Sequence, residues 1–122
     1  MNIDMKKNNN INLLKPVALK TILGYNYYDF NEIILFRAAR NSSLVYILNQ
    51  DRPIKILYSL HNIERLFRTN MFYRCHKSYI INLKYIQKFF ISDKKIEMIS
   101  GIVIPVSKSK AKELIEISKA HF

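Results

Sequence analysis

Apolar residues in this chain come in short blocks separated by polar punctuation. Ile33-Ile34-Leu35-Phe36-Arg37-Ala38 and Leu44-Val45-Tyr46-Ile47-Leu48 are rich in β-branched and aromatic side chains. Polar segments bound them: Asp29 to Glu32 before, Arg40-Asn41-Ser42-Ser43 between, and Asn49 to Pro53 after. Such blocks predict strands joined by short loops. Pro53 suits a strand start, and Ile54 to Tyr58 return as the next strand. Lys15 to Thr21 predict an earlier strand, closed by a turn at Leu23-Gly24-Tyr25-Asn26.

The period then changes. Ser59 has the character of a helix N-cap, and Leu60, Ile63 and Phe67 form one apolar stripe. Glu64 and Arg68 are spaced for an i,i+4 pair on the outer side of this packing helix. Further on, Tyr85 to Ser92 and Lys95 to Ser100 predict a hairpin turning at Asp93-Lys94. Gly101 turns the chain into Ile102 to Val106, where Pro105 restricts the strand to an edge. Ala111, Leu114, Ile115 and Ser118 share a helical face, so a C-terminal helix begins near Ser107. Residues 1–14 read as a flexible polar lead and 15–122 as one mostly β domain. No internal repeat or linker divides it.

Charge changes the picture. Twenty Lys and Arg against nine Asp and Glu give a net charge of +11 in 122 residues. Asp93 and Glu97 are the only acids between Arg74 and Lys112. Such an excess points to a polyanionic partner, although abundant Asn, Ile and Lys also fit lysine inflation by AT-rich coding. A single cysteine, Cys75, excludes an internal disulfide and a cysteine zinc site, and fits a reducing cytoplasm. No apolar run is long enough for a membrane span.

The chain is organised around Phe72-Tyr73-Arg74-Cys75-His76-Lys77-Ser78-Tyr79-Ile80-Ile81-Asn82-Leu83-Lys84. In an extended run Phe72, Arg74 and His76 share one face, and Tyr73, Cys75 and Lys77 the other. Phe72, Tyr79, Ile80, Ile81 and Leu83 are core candidates. Asn82 suits a turn cap, and Lys77 and Lys84 belong outside. Cys75 and His76 face opposite ways and do not form a thiolate–imidazolium pair. Cys75 reads as a half-buried small hydrophobe, with a redox-sensitive thiol as the sharper alternative.

This stretch resembles the signature F-x-R-x-H-[KR]-S-[YF]-[ILV]-[ILV]-N-L of the LytTR family of bacterial DNA-binding domains. Every place is filled, from Phe72 to Leu83. Ile104-Pro105-Val106-Ser107-Lys108 is similar to the family's I-P-V-S-[RK] element, and Asn31 to Phe36 agrees more loosely with its first strand pair. The likeness covers roughly residues 15–119. It implies an elongated, mostly β fold of short antiparallel sheets with one packing helix and a C-terminal helix. It further implies a response-regulator output domain of a two-component system, binding promoter direct repeats as two copies through loops in the major groove. Matched residue by residue, the DNA contacts fall on Arg40, Asn41, Ser42 and Ser43, on Lys77, and on Lys108. Lys84, Lys110 and Lys112 join them on charge and on the phosphate-holding capacity of a helix start. Arg74, His76 and Asn82 support the site. Lys at 77 and 108, where the family allows Arg, lacks the bidentate fork, which favours phosphate holding there. Arg40, Asn41 and Ser43 are therefore expected to read bases.

Enzyme classes lack their constituents: there is no Gly-rich phosphate loop, no H-E-x-x-H and no clustered His, Cys and carboxylates. No cofactor, metal or small-molecule substrate is expected. The alternative is a basic β-rich RNA-binding module, disfavoured because most aromatics sit in apolar strand runs rather than exposed for stacking. Docking on an acidic membrane would want a basic amphipathic helix with more large apolar residues than the last one offers. About 14 residues precede the match, too few for a receiver domain, so the domain is read as standing alone or as cut from a longer regulator.

Overall fold

The computed structural model describes residues 16–120. The lead at 1–14 lies outside them. Strands β1 (Val17–Thr21) and β2 (Gly24–Tyr28) form a hairpin. Its turn is Ile22-Leu23, not Leu23 to Asn26 as expected. Thr21 sets the difference: its hydroxyl accepts from the Leu23 N–H at 3.2 Å and donates to the Gly24 carbonyl at 3.3 Å. Gly24, at φ 143°, takes a conformation that side chains disfavour. Tyr25, Tyr27 and Tyr28 then continue as a strand.

A five-stranded antiparallel sheet follows from β3 (Ile33–Ala39), β4 (Ser42–Ile47), β5 (Ile54–Ile56), β6 (Phe72–His76) and β7 (Tyr79–Asn82). Their order is β5-β4-β3-β7-β6. Strand β3 lies at the centre, and its unbroken run Ile33 to Phe36 is buried throughout, as a strand covered on both faces must be. A register shift between Ile33 and Leu35 breaks simple alternation. Ile33 and Phe36 join one core, while Ile34 and Leu35 join the other.

The first core lies under β1 and helix α1 (Leu60–Leu66). Ser59 caps this helix by accepting from the Asn62 N–H at 3.2 Å, and Leu60 and Ile63 are buried. Phe30, Phe36, Phe67 and Phe72 gather there, with Phe30 and Phe67 meeting edge-on at 5.6 Å between ring centres. The second core lies under the sheet β8 (Ile86–Phe90), β9 (Lys95–Met98) and β10 (Val103–Pro105), and under helix α2 (Lys108–Ala120). Strand β10 is an edge, so Pro105 costs little ladder bonding.

Asn82 joins the two ends of the central pair. It is fully buried, donates from Nδ2 to the Ile33 carbonyl at 2.9 Å, and accepts the Lys84 N–H at 3.0 Å. A buried amide is tolerable because both of its ends are satisfied.

Candidate nucleic-acid interface

Three chain segments meet at one end of the five-stranded sheet. The first is the turn Arg40-Asn41 between β3 and β4. Arg40 adopts φ 60°, uncommon for a non-glycine residue, and the Ser42 hydroxyl closes the turn on the Ala39 carbonyl at 3.0 Å. Arg40 and Asn41 are exposed. Ser43 is a correction to the sequence reading. It sits in β4 at 0% exposure, and its hydroxyl donates to the Tyr58 carbonyl at 2.7 Å. Two residues suffice for the turn, so the polar run 40–43 is only half loop, and Ser43 is unavailable to an outside partner.

The second segment is the turn Lys77-Ser78 between β6 and β7. Arg74 braces it with its whole guanidinium. Nε donates to the His76 carbonyl at 3.1 Å, Nη2 to the Lys77 carbonyl at 2.6 Å, and Nη1 to Glu64 Oε1 at 2.9 Å. Glu64 therefore pairs across the fold with Arg74, not along its helix with Arg68 as the spacing suggested. The two carbonyls of a tight turn would otherwise crowd with no donor between them. On the other side, His76 Nδ1 accepts the Ser78 N–H at 3.1 Å. Lys77 is left exposed at the apex.

The third segment is the start of α2. The Ser107 N–H donates to the Cys75 carbonyl at 3.0 Å, tying the helix N-terminus to β6. The Ser107 hydroxyl accepts the Lys110 N–H at 3.3 Å. Lys108 and Lys112, one helical turn apart, are exposed. The Ala38 N–H donates to the Ser78 carbonyl at 2.9 Å, which joins the second segment to the first. Arg40, Asn41, Lys77 and Lys108 are thus held on adjoining backbone.

Two other candidates stand apart. Lys110 is half-buried: its ammonium lies 3.3 Å from Glu113 and 5.5 Å over the Tyr73 ring, turned toward β6. The Tyr73 hydroxyl also donates to Glu113 at 2.6 Å. Burial, then this bond, raises the Tyr73 pKa, while Tyr73 and Lys110 together lower that of Glu113. Lys84 lies beyond the far end of β7, with Nζ 3.3 Å from Asn31, which precedes β3. Arg40 follows β3. A seven-residue strand spans roughly 23 Å, so Lys84 is at the opposite end of the sheet.

Cys75 calls for a second correction. It occupies a register shift between Arg74 and His76, is fully buried, and its thiol is pushed up to about 12, chiefly by burial. A thiol kept protonated and covered lacks the reactivity of a redox sensor. Sequence reading missed Glu64 and Tyr73, because their partners come from other elements. Among the described residues no three His, Cys, Asp or Glu side chains cluster for a metal ion. No helix among them is long and apolar enough to cross a membrane.

His76 makes the brace sensitive to pH. Burial first, then Lys77 and Arg74, lowers its pKa, so the folded protein keeps Nδ1 free to accept from Ser78. The unfolded chain binds its proton near the ordinary value of about 6.5. The resulting stability is fully present above that pH and is lost as pH falls through the folded value. Melting curves at about pH 7.5 and about pH 5.5 should show a drop that is smaller in His76→Asn, whose amide oxygen replaces Nδ1 as acceptor. Equal drops would exclude His76 as the titrating group.

The comparisons agree with this fold. The family model of the LytTr DNA-binding domain matches residues 24–119. A solved structure described as the LytTr DNA-binding domain of a methyl-accepting/DNA response regulator from Bacillus cereus superposes with a TM-score of 0.70. The two are 27% identical, over 84% of this chain and 94% of that one. No curated protein matches in sequence. With a family model spanning most of its length and a fold to match, the chain belongs to the LytTR family of DNA-binding domains.

Proposed function

We propose that this domain is a sequence-specific transcriptional regulator that binds promoter direct repeats as two copies, each placing its loops in the major groove. The supporting observation is the convergence of Arg40-Asn41, Lys77 and the start of α2 at one end of one sheet. Those segments display donors for base edges and phosphates, and contain no acid. In this reading Lys108 and the N–H groups opening α2 hold a phosphate, and Lys77 holds another. Arg40 and Asn41 enter the groove, Lys112 extends the basic track along the helix, and Ser42 secures the turn behind them. Ser43, Lys84 and Lys110 have no contact role. Arg74, His76 and Asn82 are structural. The role is that of a response-regulator output module in the cytoplasm, without catalysis or cofactor.

Selection of bound duplexes from a random pool tests this reading. Two copies of one short element at a constant spacing should be enriched, and single-stranded RNA should not displace them. Displacement by RNA at concentrations comparable to the duplex, with no enriched element, would favour an RNA-binding module instead.

A further inference from the structure

The β1–β2 hairpin ends in two large apolar residues where a turn ordinarily carries polar ones. Ile22 is 81% and Leu23 95% exposed. The turn is built rather than loose, since the Thr21 hydroxyl holds both the Leu23 N–H and the Gly24 carbonyl. These side chains and Leu57, 42% exposed, line a groove of about 310 Å³ along the edge strand β5, together with Ile54 and Lys55. The Leu57 N–H donates to the Lys20 carbonyl at 2.8 Å, fixing one wall against the other. Clustered apolar exposure of this kind marks a docking surface.

We propose that this groove docks an acidic segment of another protein that carries large apolar side chains. Charge selects the occupant. Lys55 lines the groove, and two further exposed cations adjoin its walls in the chain: Lys20, whose carbonyl holds the Leu57 N–H, and Arg52, two residues before Ile54. Among the described residues no acid lines it, and the nearby Asp51 faces a different groove with Tyr46 and Ser100. A second copy docked by the same face would set these cations against their own equivalents, which opposes association. Duplex phosphates would suit the lysines but leave Ile22 and Leu23 without apolar cover. Ile56 pairs with Ser43, so the Leu57 end of the groove lies at the same end of the sheet as Arg40-Asn41. A docked segment would sit beside the end of the domain that faces DNA in the proposed function, but the groove does not depend on that function.

The probe is a fluorescein-labelled synthetic peptide alternating Asp or Glu with Leu and Phe, titrated with the full chain and read by anisotropy. Controls replace its acids by Gln, or its Leu and Phe by Ser. Binding should need both features, and should weaken by about tenfold or more in Leu23→Ser and in Lys55→Glu. Leu23 is solvent-exposed, so Leu23→Ser should melt like the parent and bind duplex DNA unchanged. The proposal is overturned if Leu23→Ser binds the peptide like the parent. It is overturned equally if duplex DNA displaces the peptide competitively, which would place it on the Arg40–Lys108 surface. Leu23-dependent self-association of the unlabelled protein in sedimentation would assign the groove to a second copy instead.

Discussion

Raising monovalent salt from about 50 to about 200 mM should lower affinity for the selected duplex by about 10³–10⁵-fold. Each Lys or Arg that neutralises a phosphate releases condensed counterions, and the logarithm of affinity falls with a slope of about 0.9 per contact. Arg40, Lys77, Lys108 and Lys112 stand exposed at one end of the domain. Two copies on one operator would bring twice that set, which falls within the range that gives so steep a loss. Position within the fold sharpens the test. Lys77→Ala should reduce the slope by about one for each copy bound. Lys84→Ala should leave it unchanged, because Lys84 lies at the other end of the sheet beside Asn31. A flat titration would exclude phosphate neutralisation as the main source of affinity. An equal effect of Lys84→Ala would mean that DNA covers both ends.

Much of this fold can be read from the residues alone, and the exceptions share a cause. The apolar blocks mark β3 to β5 and β8 to β10, and Ser59 marks the start of α1, because burial and capping act through neighbours in sequence. The run 72–82 reads as one extended stretch and proves to be the hairpin β6–β7. Strand β2 escapes notice because Gly24 and Asn26 look like turn residues, while the real turn, Ile22-Leu23, has no turn chemistry of its own. Thr21 supplies it. The register shifts at Ile34 and near Cys75 arise from packing on two faces at once, which strict alternation cannot encode. At the interface the pattern is the same. Arg40 and Asn41 lie where the polar run signals a loop, whereas the Lys77-Ser78 turn falls inside what reads as one extended run and has no local signal. Ser43 and Glu64 differ from their local reading because each is settled by a distant partner, the Tyr58 carbonyl and Arg74 respectively.

Asn41→Ala should cost about 1–3 kcal/mol with the preferred duplex and relax preference at one base pair, leaving other positions as strict as before. Its amide can pair with adenine in the major groove, and the turn that carries it is held by Ser42 and by its neighbours in β3 and β4. Lys77→Ala and Lys108→Ala should instead weaken all duplexes alike, since a lysine offers one charged donor group and no fork. Arg74→Ala separates presentation from contact. It removes the donors to the His76 and Lys77 carbonyls and strands Glu64, so it should lower the melting temperature while weakening DNA binding nonselectively. Titration of these four variants against the preferred duplex and its single substitutions distinguishes the roles. If Lys77→Ala erased preference at one base pair while Asn41→Ala weakened every duplex equally, the lysine at the apex of the braced turn would be the reader. The β3–β4 turn would then be a phosphate clamp. If Arg74→Ala kept its melting temperature and lost only discrimination, the arginine would have to leave its three acceptors on binding and reach the DNA itself.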